Sequence, residues 1–207
     1  MQPSTQQVVF VDGPAGRIET ALNDPGERRS GIALIAHPHP LHGGNNDNKV
    51  VTTLARTLVQ TGHVALRPNF RGVGASAGTY DEGIGETEDM LAVAAHAHRQ
   101  YGELPLVLAG FSFGGYVQAR VAERLAVQRL ILVAPAVSRF PAGRVPAGTL
   151  LIHGEHDDVV PLQAVLDWAR PQQLPVTVVP GGEHFFHGRL NLLRQIVLNS
   201  CRCPGVD

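Results

Sequence analysis

The chain has 207 residues, enough to bury a continuous core, and 17 basic against 18 acidic side chains leave a formal net charge of -1. No basic run could neutralise a row of phosphates or bind an anionic bilayer, which argues against nucleic acid and membrane partners. No apolar run approaches the roughly 20 residues that span a bilayer, and residues 1–7 lack the features of a secretory signal. We therefore expect one cytosolic domain, residues 1–207.

Strand and helix patterns alternate along most of the chain. Residues 8–11 and 17–22 flank a Gly-Pro turn and predict an antiparallel pair. The strands predicted after them are residues 32–36, 63–67, 106–109, 130–133, 150–153 and 176–179, and the helices are residues 47–60, 83–98, 113–125, 162–170 and 190–200. This order predicts an α/β fold with a mostly parallel sheet of about seven or eight strands and helices on both faces.

One strand runs directly into a glycine-rich turn and then a helix. Residues 106–109 are followed by Gly110-Phe111-Ser112-Phe113-Gly114, a G-x-S-x-G pattern between a strand and a helix. Such a turn needs glycine on both sides because side chains there would clash, and it holds the serine in a strained conformation that exposes the hydroxyl. Ser112 is therefore the candidate nucleophile.

A serine hydroxyl needs a neighbouring base, and the base needs an acid that orients it. The loop after residues 150–153 offers Asp157 or Asp158, and the loop after residues 176–179 offers His184 or His187. Ligand-binding loops of a parallel sheet gather at the carboxyl ends of its strands. The order serine, aspartate, histidine thus falls on three loops at one sheet edge.

These motifs, in this order, resemble the α/β-hydrolase superfamily over nearly the whole chain. In that family the acid loop typically reads G-x-x-D-x-x-V-P, which matches residues 154–161 and implies Asp157 rather than Asp158. The family's base is a histidine followed by aromatic residues, which matches His184 better than His187. The resemblance thus implies a triad with Ser112 as nucleophile.

Two further segments, residues 37–44 and 69–76, look like those of small lidless bacterial hydrolases related to dienelactone hydrolases. Dienelactone hydrolases themselves carry cysteine where this chain has Ser112. Residues 134–148 leave no room for the lid that many α/β-hydrolases insert there. The resemblance implies a serine hydrolase of small acyl esters that needs no cofactor; thioesters, lactones and peptides suit the same residues. A catalytically silent binding module is the alternative.

Acyl transfer also requires backbone N–H groups that stabilise the developing oxyanion. One should come from Phe113, the residue after the nucleophile, and one from the loop after residues 32–36. Pro38 and Pro40 have no N–H in that loop, which leaves His39 as the best donor and Leu41 as the second. The cavity wall is expected from four aromatic residues that could equally be core: Phe111, Phe113, Phe140 and Phe185.

Other patterns have plainer explanations. His37, His39 and His42 could suggest a metal, but no carboxylate stands at ligand spacing, so no metal site is predicted. Residues 72–77 match the dinucleotide pattern G-x-G-x-x-A without entering a helix, and Arg71 is expected to brace that turn.

Two histidines end predicted strands. His37 and His153 are expected to tie neighbouring loops together by hydrogen bonds. Acidic residues of segment 81–89 suit the positive end of a helix dipole. Cys201 and Cys203 are too close for an ordinary disulfide and predict no catalytic role.

Overall fold

A single eight-stranded sheet runs through the computed structural model, which describes residues 6–202. Its strands are β1 Gln6–Gly13, β2 Gly16–Asn23, β3 Gly31–Ala36, β4 His63–Pro68, β5 Leu106–Phe111, β6 Arg129–Val133, β7 Leu150–Gly154 and β8 Val176–Val179. Across the sheet the order is β1-β2-β4-β3-β5-β6-β7-β8. The β1–β2 and β2–β4 pairs are antiparallel and all other pairs are parallel, which confirms the predicted mostly parallel sheet.

Five α-helices connect the strands: α1 Lys49–Gln60, α2 Ile84–Tyr101, α3 Phe113–Ala122, α4 Leu162–Ala169 and α5 Leu190–Arg202. Helix α1 begins two residues later than predicted because Asn48 is its N-cap. The Asn48 side-chain oxygen accepts hydrogen bonds from the N–H groups of Val50 at 2.9 Å and Val51 at 3.5 Å. These bonds satisfy two donors that would otherwise lack a partner in the first turn.

Two hydrophobic layers enclose the sheet, one on each face. In β3, Ile32 and Leu34 pack into the layer that contains residues of α2, α3 and α4. The alternate residues Ala33 and Ile35 pack into the layer of α1 and α5. Because both faces are covered, the central strands β3 and β5 carry no polar side chain, as the sequence pattern indicated.

The acidic start of α2 has more specific roles than a helix dipole requires. Glu86 is fully buried and its carboxylate accepts hydrogen bonds from the N–H groups of Asp81 at 2.9 Å and Gly83 at 2.8 Å. Asp89 forms a two-pronged ion pair with Arg71, both contacts measuring 2.8 Å. Arg71 therefore braces the loop after β4, as predicted, and Asp89 is the residue it braces against.

The segment between β6 and β7 contains neither helix nor strand. This confirms that no lid is inserted there. Among residues 6–202, no helix is long and apolar enough to cross a membrane. Cys203, at the end of the chain, lies outside the described residues, whereas Cys201 is half-buried on α5 with a free thiol.

Candidate active site

Ser112 lies in the turn between β5 and α3, in a backbone conformation that is unusual for a residue with a side chain. Its φ is 54° and its ψ is -118°. Hydrogen bonds hold the turn from both sides: the Ser112 N–H donates to the Val133 carbonyl at 3.0 Å, and the Ala136 N–H donates to the Ser112 carbonyl at 3.1 Å. The strain is thus maintained by the surrounding structure, as expected at a functional turn.

The glycines on either side of Ser112 are required by close approach of the backbone. A Cβ atom at Gly110 would overlap the carbonyl of Gly114. A Cβ atom at Gly114 would overlap the carbonyl of Ala36 at the end of β3. Backbone atoms cannot move aside as the end of a long side chain can, so both positions require glycine.

Three side chains from three loops form one hydrogen-bonded series. The Ser112 hydroxyl lies 3.1 Å from Nε2 of His184, and Nδ1 of His184 lies 2.7 Å from Oδ2 of Asp157. A carboxylate only accepts, so Nδ1 carries the proton and Nε2 is left to accept from the serine. Asp158 and His187, the alternatives that the sequence offered, are both exposed and outside this series.

The Asp157 carboxylate is held in its charged form. Burial raises the pKa of Asp157, but hydrogen bonds from His184 and from the Val160 N–H outweigh burial and leave the pKa below its ordinary value. Its Oδ1 accepts from the N–H groups of Val159 at 3.0 Å and Val160 at 2.7 Å. An ionised carboxylate can therefore orient the His184 ring and stabilise that ring when it gains a proton.

His153 stands beside this series without belonging to it. Its Nε2 donates to the Val160 carbonyl at 2.9 Å and lies 3.5 Å from the Asp157 carboxylate. Burial lowers the pKa of His153, which favours the neutral ring. The contact ties the end of β7 to its own following loop, which carries Asp157, rather than to a neighbouring loop as predicted.

His37 ties together the loops that follow β3 and β4. Its Nε2 accepts from the Phe70 N–H at 2.9 Å, so Nδ1 carries the proton and donates to the Pro38 carbonyl at 2.7 Å. Burial lowers the pKa of His37 to about 4, and the ring therefore stays neutral near pH 7. The predicted hydrogen-bonding role is present in the structure.

Within residues 6–202, the backbone N–H groups of Phe113 and His39, both near Ser112, have no acceptor. The Leu41 N–H, the second candidate on the loop after β3, donates instead to Nδ1 of His39 at 3.3 Å. The His39 ring packs against the rings of Phe113 and Tyr80, each 4.9 Å away between centroids. The free donors thus belong to the pair that the sequence argument ranked first.

A cavity of about 340 Å³ opens beside Ser112 and His184. Phe185 lines it and is 44 % exposed, whereas Phe111 and Phe113 are fully buried in the core and Phe140 is outside the cavity wall. Only Phe185 therefore shapes the cavity, and the other three expected aromatic residues do not. Its wall is formed by Pro38, His39, His42, Gly43, Gly44, Asn48, Ser112, Arg139, Val159, His184 and Phe185.

Asn48, Arg139 and Val159 are wall residues that the sequence analysis missed. Each follows a strand, on a loop at the carboxyl edge of the sheet. That position alone could have nominated them, because ligands bind along this edge in open α/β sheets. Neither the residue types nor their spacing in the sequence indicated that these three residues line a cavity.

The competing sites do not assemble in the described part of the chain. Residues 72–77 form turns, and the next helix begins only at Ile84, so no helix N-terminus follows the glycines. No group of three or more histidine, cysteine, aspartate or glutamate side chains within residues 6–202 could hold a metal ion. The His37 ring is engaged with Phe70 and Pro38, away from His39 and His42.

Comparison with known proteins supports the fold and the family. The profile of the Hydrolase_4 family, described as serine aminopeptidase S33, matches residues 39–142, half of the chain. The chain belongs to this family of α/β-hydrolases. The matched region includes the turn of Ser112 and ends before Asp157 and His184.

Solved structures of α/β serine hydrolases resemble the whole hydrolase. One from Xanthomonas campestris, described as having no lid, is 39 % identical with a TM-score of 0.89, covering 98 % of this chain and 96 % of its own. One from Coxiella burnetii is 41 % identical with a TM-score of 0.88, covering 93 % and 96 %. An uncharacterised protein of Rickettsia prowazekii is 32 % identical over 86 % of this chain and 81 % of its own. The chain is a serine hydrolase of the α/β fold.

Proposed function

We propose that the protein hydrolyses small carboxylic esters through an acyl-enzyme formed on Ser112. The observation that carries the proposal is the hydrogen-bonded series from Ser112 through His184 to Asp157 at the wall of a small open cavity. A serine activated in this way suits acyl transfer.

In the first half of the reaction, Ser112 Oγ attacks the ester carbonyl carbon and its proton passes to Nε2 of His184. The carbonyl oxygen becomes an oxyanion that accepts hydrogen bonds from the Phe113 and His39 N–H groups. As the tetrahedral intermediate collapses, the bond to the alcohol oxygen breaks and His184 gives that oxygen its proton. Asp157 stays ionised and stabilises the protonated ring.

In the second half, water attacks the carbonyl carbon of the acyl-enzyme while His184 takes a proton from that water. The intermediate collapses to the carboxylic acid, and the proton returns to Ser112. No step requires a metal or an organic cofactor. The cavity volume is at the low end of the range for small-molecule sites, and no lid covers it, which favours short acyl groups over long lipids.

Ester cleavage is favoured over aminopeptidase activity by the charges of the cavity wall. An aminopeptidase must bind the ammonium group of a peptide N-terminus, for which a carboxylate is the natural partner. Among the wall residues there is no aspartate or glutamate. The Asp157 carboxylate is buried and occupied by His184, Val159 and Val160.

The test combines covalent labelling with a substrate panel. A fluorophosphonate should add one label to the wild-type protein and none to Ser112→Ala, as read by intact mass. Para-nitrophenyl esters of graded acyl length, acyl thioesters and aminoacyl anilides then rank the bond types, and we expect short esters to give the highest kcat/KM. Equal labelling of Ser112→Ala, or anilides cleaved faster than esters, would contradict the proposal.

A further inference from the structure

The cavity wall contains basic side chains and no acidic one. Arg139 is the only permanently charged side chain in the wall, and His39 and His42 are the other basic groups there besides His184. Burial, followed by the nearby His42 and Arg139, lowers the pKa of His39, so these groups act on one another across the cavity.

Several hydrogen-bond acceptors of the cavity wall are already occupied by groups of the protein. The Pro38 carbonyl accepts from His37, and the His39 carbonyl accepts from the N–H groups of His42 and Gly44. The Asn48 side-chain oxygen is occupied by the first turn of α1, which leaves its amide N–H₂ as a donor. These oxygens are therefore not available to a ligand, whereas the Asn48 amide is.

Arg139 lies in a turn that is hydrogen-bonded to the backbone of Ser112. The Ala136 N–H donates to the Ser112 carbonyl at 3.1 Å, and the Ala136 carbonyl accepts from the N–H groups of Arg139 and Phe140, also at 3.1 Å. The Phe140 ring stacks on Tyr116 with centroids 5.0 Å apart. The backbone of Arg139 is therefore positioned relative to Ser112.

The Arg139 guanidinium makes no hydrogen bond or ion pair with any of residues 6–202. Arg71 shows the contrast, because its polar contacts serve the fold: it binds Asp89, the Gly85 carbonyl and, at 3.8 Å, the Asp81 carboxylate. A free guanidinium at a cavity wall is a site for a carboxylate, which it can bind through two parallel hydrogen bonds.

We propose that the physiological substrate is an ester with a carboxylate near the scissile bond, and that Arg139 is the residue that selects it. This inference rests on the proposed ester hydrolysis and adds the substrate class. Arg139 binds the substrate carboxylate, and the Asn48 amide and His42 supply further donors. Neutral esters of the same size are hydrolysed without the interaction between Arg139 and a carboxylate.

The experiment uses two matched pairs of substrates. In the first pair the charge is on the acyl side: para-nitrophenyl hydrogen adipate and its neutral methyl ester. In the second pair it is on the leaving group: para-carboxyphenyl butyrate and para-carbamoylphenyl butyrate. For each pair the ratio of kcat/KM for the charged over the neutral ester is measured in wild type and in Arg139→Gln.

We expect Arg139→Gln to lower this ratio on the order of tenfold for one of the two pairs, and that pair identifies the side of the bond that carries the charge. Because the ratio compares two esters of similar size, it separates the effect on the charged group from any effect of the substitution on ester turnover itself. Raising KCl to about 0.3 M should lower the ratio in wild type and not in the variant. Arg144→Gln is the matched control, since Arg144 is exposed on the same segment and is not part of the cavity wall.

Ratios that agree within about twofold between wild type and Arg139→Gln for both pairs would overturn the inference. The same result in Arg144→Gln as in Arg139→Gln would also overturn it, because the effect would then be one of overall charge. Failure of the proposed function looks different: wild type would not cleave the neutral esters, or Ser112→Ala would cleave them equally well.

Discussion

Two glycine-rich turns follow β4 and β5, the strands on either side of β3, and each turn contains a buried serine, yet the two serines have different partners. In the turn after β5, the Ser112 hydroxyl points to His184 and lines the cavity. In the turn after β4, the Ser76 hydroxyl donates to the Asn69 carbonyl at 2.8 Å and accepts from the Glu19 N–H at 3.0 Å. Glycine and serine alone do not make a nucleophile turn; immediate entry into a helix and an available base do.

The glycines of the two turns are also required for different reasons. Gly114 is pressed against the Ala36 backbone of β3. Gly74 has a φ of 57° and lies against the Glu19 carboxylate, which binds the Asn69 side chain at 2.9 Å and the Ala75 N–H at 2.7 Å. Gly114 is in contact with main-chain atoms, which cannot move aside. Gly74 is in contact with a side chain, so the turn after β4 can accommodate a substitution more easily.

The largest difference between the two turns should be in catalysis. Ser112→Ala should lower kcat for a short ester by about 10⁴ or more, because the three residues act as one unit. Ser76→Ala is the matched control and should retain kcat within a few-fold while losing about 1–2 kcal/mol of stability with its two hydrogen bonds. Steady-state kinetics and urea unfolding measure the two effects. Near-normal turnover in Ser112→Ala would show that Ser112 is no more important for catalysis than Ser76.

The two glycines should differ in stability when each is replaced by alanine. Gly114→Ala should lower the free energy of unfolding by about 3 kcal/mol or more, because the new Cβ overlaps backbone on β3. Gly74→Ala should cost about 1–2 kcal/mol, from the left-handed conformation and a displaced Glu19 side chain. Urea unfolding of both variants tests this order. A larger loss for Gly74→Ala would reverse our view of which turn is rigid.

The hydrogen bond that ties the loop after β3 to the turn after β4 should respond to acid, because His37 accepts from Phe70 and is buried. Its pKa of about 4 in the folded protein lies below the ordinary value of 6.5. Between these values the unfolded chain binds a proton that the folded protein does not. Stability from this histidine is therefore complete above about pH 6.5 and falls by about 1.4 kcal/mol per pH unit as pH drops towards 4.

Unfolding measured from pH 7 to 4.5 in wild type and His37→Gln isolates this contribution. Burial also lowers the pKa values of His63 and His153, and both residues are present in the two proteins. In this range the free energy of unfolding of the variant should depend less steeply on pH, by the equivalent of about one proton. Identical slopes would mean that His37 does not hold the loops together through its neutral ring.

The smallest effect is expected at Glu19, which closes the turn after β4. Glu19→Gln keeps the size of the side chain and removes its charge, so the bonds to Asn69 and Ala75 lose their charge-assisted strength. We expect a loss of about 1 kcal/mol in urea unfolding and unchanged kcat for a short ester. A loss of activity comparable to that of Ser112→Ala would show that the two turns are coupled.

The sequence alone predicted the order of strands and helices, the mostly parallel sheet and the loops that carry Ser112, Asp157 and His184. These features follow from local patterns: apolar runs, helical spacing, and glycines around a serine. The predicted element ends differ from the structure by a few residues, as at Asn48, because capping depends on side-chain hydrogen bonds. The roles assigned to the three residues remain predictions that the kinetic experiments test.

Only the tertiary structure decided which groups are left unpaired. Arg67 ends a strand and is nevertheless buried, because it donates to the Asn46 carbonyl at 2.7 Å from 21 residues away in the sequence. Arg139 follows another strand and has no such partner, so it is left for the cavity. No periodicity distinguishes these two arginines, because the partner of a side chain depends on which distant loops the fold brings beside it.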